Sequence, residues 1–84
     1  MDIHPAARKH GIPGDDIVHA VEHALAEYAL EERDDEARRT LLLGPDRQAN
    51  LLEVVVLELD DGRRLAIHAM RMRAKYVSLL PRQS

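Results

Sequence analysis

Five residues within a nine-residue stretch, His68, Arg71, Arg73, Lys75 and Tyr76, hold the groups that phosphodiester chemistry on RNA requires. Cleavage by the internal 2′-hydroxyl needs a base for that hydroxyl, cations for the pentacoordinate phosphate and an acid for the leaving 5′-oxygen. An imidazole serves as base or acid near neutral pH. Arginine binds phosphate oxygens through two parallel hydrogen bonds. Lys9 and His10 add a second cation and imidazole, and Arg64 opens the basic stretch. Residues 62–84 hold six basic and no acidic side chains. The first 61 residues hold six basic and all fifteen acidic ones, for a net charge of −3. A basic end on an acidic chain is a candidate phosphate-binding surface. The same residues also fit a solvated strand end that binds an acidic partner or nothing.

A second pattern, His19-Ala20-Val21-Glu22-His23, matches H-x-x-E-H, and on a helix both histidines share one face, as a two-histidine metal site requires. No third ligand follows at a meaningful spacing, so no metal is expected. The absence of cysteine excludes disulfide staples, thiolate zinc sites and a cysteine nucleophile. Two tyrosines are the only Phe, Tyr or Trp residues, which leaves almost no stacking platform for single-stranded nucleic acid and demands an aliphatic core. No apolar run approaches the ~18 residues that span a bilayer, and Met1 to Pro5 lacks the basic start of a signal peptide. A cytoplasmic single domain over residues 1–84 is the expectation, with no membrane contact and no cofactor.

The elements that must position these groups follow from local patterns. His4 to Gly11 reads as a short helix, with Pro5 in its first turn and Gly11 past its last. Asp15 and Asp16 suit a helix N-terminus, and Ile17, Val21, Ala24 and Tyr28 recur at helical spacing to about Leu30. The polar run Glu31 to Glu36 reads as a loop or frayed helix end. Three strands follow: Arg39 to Leu43, ending at the turn signal Gly44-Pro45-Asp46; Leu51 to Leu59; and Arg64 to Met70. Met72 to Leu80 suits a short last helix before Pro81. The expected fold is α+β: two N-terminal helices packed on a three-stranded antiparallel sheet, with a short C-terminal helix.

Asp61-Gly62 is a two-residue hairpin signal. That loop pairs Asp60 with Arg63, Val56 with Ile67, Val55 with His68, and Glu53 with Met70. One face then shows Leu52, Val54, Val56, Leu65, Ile67 and Ala69. The other shows Glu53, Val55, Leu57, Arg64, Ala66, His68 and Met70, with His68 diagonal to Glu53.

Several segments together resemble one family. Lys9-His10-Gly11-Ile12 before an acidic helix start, Arg38 to Gly44, the apolar run Leu51 to Leu57, and Arg64-Leu65-Ala66-Ile67-His68-Ala69 leading into a basic tail are similar, in order, to segments of the BrnT-type toxins. The likeness covers about residues 4–78. The chain departs from the pattern at Met70, where the family carries arginine, and at Ala74-Lys75-Tyr76, which keeps only the tyrosine of a Glu-before-Tyr tail. The resemblance implies a RelE-like fold and the toxin of a bacterial type II toxin–antitoxin system. It implies an endoribonuclease that blocks translation by acting on RNA, with ribosome-bound mRNA one candidate substrate and ribosome dependence left open, and held by a ribbon-helix-helix DNA-binding antitoxin. It also implies a homodimer or heteromer. On this reading His68, Arg71 and Arg73 are catalytic, and Lys9, His10, Arg64, Lys75 and Tyr76 bind RNA. The competing expectation is a non-enzymatic protein-binding or regulatory module on the same fold.

Overall fold

Strands dominate the computed structural model, which describes residues 1–30 and 38–82. The elements are β1 (Asp2–Ile3), a 3-10 helix (Pro5–Arg8), α1 (Gly14–Glu22), β2 (Ala26–Ala29), β3 (Arg38–Pro45), β4 (Leu51–Glu58), β5 (Arg64–Arg71) and a C-terminal 3-10 helix (Ala74–Leu79). They build one five-stranded sheet in the order β1-β5-β4-β3-β2, antiparallel except for the parallel β1–β5 pair. Among the described residues no helix is long and apolar enough to cross a membrane.

The α+β class stands, but the expected arrangement does not. Two N-terminal helices on a three-stranded antiparallel sheet, the RelE-like layout, give way to one α-helix, two 3-10 turns and a five-stranded mixed sheet. The second helix was expected to run to Leu30. It stops at Glu22, where the His23 amide and Nδ1 both turn back onto the His19 carbonyl. From Leu25, whose amide donates to the Leu43 carbonyl, the chain is strand. Helical spacing over Ala24 to Tyr28 loses here to the hydrogen bonds that β3 offers. The first helix keeps its expected start: Pro5 lies in the first turn, and His4 Nδ1 accepts from the Ala6 amide. Its four residues wind as a 3-10 turn, not an α-helix. The expected C-terminal helix is likewise 3-10. The Glu31 to Glu36 run lies outside the described residues.

Helix α1 covers one sheet face. Ala7, Ile17 and Ala20 pack there against Leu42, Leu52, Val54, Val56, Ala66 and Ala69, all buried. The approach is close at Gly44, where a Cβ would meet the Ala20 carbonyl oxygen and the Ala24 Cα. Gly44 therefore serves helix packing inside β3 and not the turn after it. His19 Nδ1 donates to the Pro45 carbonyl (2.8 Å), and Asp16 Oδ1 accepts from the Arg47 amide (3.0 Å) and Nε (2.8 Å). These bonds pin the helix to the β3–β4 turn. In that turn, Asp46 Oδ1 accepts the Gln48 and Asn50 amides, and Ala49 sits at φ 68°.

The β4–β5 register holds at Glu53–Met70 and Val55–His68 and slips by one at Val56–Ala66. Ile67 is the extra residue of a bulge. The cause is the loop. Leu59 donates to the Arg63 carbonyl and Gly62, at φ 88°, to the Leu59 carbonyl, so three residues connect the strands instead of two. The bulge absorbs the difference. It puts Ala66 rather than Leu65 on the buried face, beneath the Pro5–Arg8 turn, and carries Arg64 to that same face, opposite Glu58.

The packing at α1 predicts that Gly44→Ala costs about 3 kcal/mol in urea denaturation, the upper end for overpacking, because backbone atoms cannot rotate aside. Ala49→Gly relieves a left-handed alanine and gains up to about 1 kcal/mol in the same assay.

Candidate functional site

On the face opposite α1, β4 carries a carboxylate into a dry position. Glu53 is fully buried, beside the buried Leu41 and Leu43 of β3. An ionised carboxylate is tolerated there only with partners. Glu53 Oε1 accepts from His68 Nε2 (3.0 Å), Arg73 Nε (2.9 Å) and Arg73 Nη2 (2.6 Å), and Oε2 accepts from the Arg73 amide (3.0 Å). Burial works against the charge, but the bonds from Arg73 and His68 outweigh it and hold the carboxyl below its usual range.

Three segments meet at this group. His68 comes from β5, where the register places it diagonal to Glu53. Arg73 arrives because the chain leaves β5 at Met72, whose amide donates to the Leu51 carbonyl. Past Arg73 the C-terminal 3-10 helix runs on to a second anchor, where the Tyr28 hydroxyl donates to the Leu79 carbonyl (2.6 Å). His10 comes from the turn after the first 3-10 helix, and its ring meets His68 edge-on with centroids 5.8 Å apart.

The bond to Glu53 fixes the His68 tautomer. A carboxylate only accepts, so Nε2 carries the proton, and in the neutral ring Nδ1 is left with a lone pair. The ring is 30% exposed, so solvent reaches it. His10 is exposed. This is the arrangement of a base held by an orienting carboxylate with a second titratable ring beside it.

The other residues singled out from the sequence divide. Lys75 Nζ lies 5.0 Å and Arg73 Cζ 5.7 Å from the Tyr76 ring centroid, so these three form one cationic group next to Glu53. Lys9 is exposed and adjoins His10 in the chain. Arg71 ends β5 opposite Leu52, and strand alternation puts it on the helix side, away from His68. Arg64 lies at the other end of β5, bonded to Glu58 (2.9 Å) and near Glu27 (3.7 Å), and does not join the cluster. Glu53 is the residue that sequence reasoning did not place in the site. Its signal was a lone acid in the first six residues of an apolar strand, already diagonal to His68.

His19 and His23 stack with centroids 4.1 Å apart, and each uses Nδ1 on a carbonyl. Among the described residues no three or more His, Asp or Glu converge as a metal site.

No family model, curated protein or solved structure matches the chain.

Glu53→Gln keeps the shape and removes the charge. A loss of about 2 kcal/mol is expected by urea denaturation, below the 3–5 of a fully buried pair because Arg73 is half in water. The folded-state value of Glu53 is depressed. Its contribution is therefore full above the unfolded carboxyl value of about 4.5 and is lost as pH falls through the folded value. The stability gap between wild type and Glu53→Gln should close with acid below about pH 4.5, read as convergence of their urea midpoints.

Proposed function

We propose that the chain is the toxin of a type II toxin–antitoxin system, an endoribonuclease that uses the RNA's own 2′-hydroxyl as nucleophile. The observation that carries this reading is the pair His10–His68, with His68 held through Nε2 by the buried Glu53. In the proposed reaction His68 Nδ1 takes the 2′-hydroxyl proton as the oxygen attacks phosphorus. Protonated His10 gives its proton to the departing 5′-oxygen. The P–O5′ bond breaks, leaving a 2′,3′-cyclic phosphate on one fragment and a 5′-hydroxyl on the other. Lys9, Lys75 and Arg73 Nη1, the one guanidinium nitrogen not bonded to Glu53, supply positive charge to the phosphate. Arg71 and Arg64 have no part in the step. The ordered likeness of several segments to the BrnT-type toxins supports the same assignment, as does the basic C-terminal stretch. A ribbon-helix-helix antitoxin is the partner this reading entails, and bacterial cytoplasm the compartment.

One observation favours the non-enzymatic alternative. Arg73 spends its amide, Nε and Nη2 on Glu53, which is what a tether for the C-terminal segment does. If the cluster is only a tether, removing the exposed His10 changes nothing.

The test is purified chain on oligoribonucleotides, with and without ribosomes. Wild type should leave 2′,3′-cyclic phosphate ends, and a 2′-deoxy residue at the scissile position should block cleavage. His10→Ala and His68→Ala should each slow cleavage about 10²- to 10⁴-fold. His10→Ala should also lose the alkaline limb of the pH–rate profile, since its role is to be protonated. Arg82→Ala, beyond Pro81, should match wild type. Full cleavage by folded His10→Ala would sink the two-histidine mechanism. No cleavage by wild type in either condition would leave the tether and the binding-module reading.

A further inference from the structure

The sheet has two edges, and they are built differently. One is β1, two residues long and followed at once by Pro5, which has no amide to offer. The other is β2, Ala26–Ala29, which among the described residues pairs only with β3. It carries neither proline nor lysine, the usual devices that blunt an edge. The Leu30 amide donates to the Arg39 carbonyl, and alternation from that bond turns the amides and carbonyls of Glu27 and Ala29 outward. Exposed apolar side chains collect beside them. Tyr28 is 40% and Leu30 36% exposed.

We infer that β2 is a self-pairing edge: it binds β2 of a second copy of this chain, antiparallel about a two-fold axis through Tyr28, to make one continuous sheet. The register follows from charge and side-chain parity. An alignment centred on Glu27 sets two carboxylates directly opposite, which is destabilising. Centred on Tyr28, Glu27 faces Ala29 of the other copy, and the outward groups of both residues form hydrogen-bonded pairs. Tyr28 then meets its own symmetry mate, and Leu30 meets Ala26 on the same face. Arg64, 3.7 Å from Glu27, offsets the charge that each copy brings to the joint. The contact is isologous, so it closes at two copies instead of growing into a fibre. This inference does not depend on the RNA reading.

The chain has no cysteine, so single-cysteine variants report the register directly. At a non-hydrogen-bonded antiparallel pair the Cα atoms are about 4.5 Å apart, within disulfide range. Tyr28→Cys should form a covalent dimer under mild oxidation at least about tenfold faster than Glu27→Cys, whose partner position is Ala29. Sedimentation of wild type at high micromolar concentration should give a dimer. Ala29→Pro, which removes an outward amide and leaves the β3 ladder intact, should give a monomer. A wild-type monomer overturns the inference, and so does equal cross-linking at the two positions. A dimer that survives in Ala29→Pro places the interface elsewhere and overturns it too. If Ala29→Pro does not fold, the cross-linking contrast decides alone.

Discussion

A carboxylate inside a small aliphatic domain is an expensive object. Without partners Glu53 would shed its charge or unfold its surroundings, because moving an ion out of water costs several kcal/mol even after relaxation. The chain meets that demand with one amide, one guanidinium and one imidazole, drawn from β5 and the segment after it. Among the described residues no buried side-chain nitrogen or oxygen lacks a partner. The requirement runs in both directions. Glu53 needs Arg73 to stay charged, and the C-terminal segment, with no buried residue in its 3-10 helix, needs Glu53 to stay on the sheet. The position of His68 follows from the same contact.

The opposite face is governed by shape and not by charge. Ala20 on α1 and Gly44 on β3 let the helix backbone lie almost against the strand. Over β5 the cover is the 3-10 helix Pro5–Arg8, and there Ala7 joins the small residues Ala66 and Ala69 in the core. The bulge at Ile67 makes this fit. Without it Leu65 and Ile67 would stand on the buried face, and Arg64 would share a face with His68. A single extra residue in the hairpin thus decides which side chains fill the core and which arginine stays out of the cluster.

Much of this was legible in the sequence, with limits that have physical causes. The β4 and β5 strands and the pairing of Val55 with His68 follow from alternation and a turn signal, both local properties. The bulge was not legible, since two- and three-residue loops share the Asp-Gly signature and differ only in where the glycine sits. The early end of α1 was not legible either. Ala24 to Ala29 suits a helix as well as a strand, and only the free edge of β3 decides between them. In the site, the cation-rich stretch and His68 were visible. Arg71 was a candidate by proximity in sequence, yet alternation sends it to the wrong face, while Arg73 reaches Glu53 because the strand ends between them. His10 was visible as a residue but not as the neighbour of His68. That contact joins positions 58 apart, and nothing local encodes it.

The C-terminal segment joins these parts into one mechanical unit. It begins at Arg73 on Glu53 and reaches Tyr28 at Leu79, so it is fastened at the central strand and again at the free edge. Neither anchor is strong alone, since one hydrogen bond contributes about 1 kcal/mol net and those of Glu53 are offset by desolvation. Held at both ends, the segment loses its freedom only once, and each anchor raises the effective concentration of the other. The site and the edge are therefore coupled through this segment. Whatever orders Tyr28 at the edge steadies the segment that carries Arg73. His68 is held by β5 and by Glu53 Oε1, the oxygen that Arg73 also binds, so the same change reaches it through Glu53. A change at the β2 edge should thus act on Arg73 first and on His68 through Glu53.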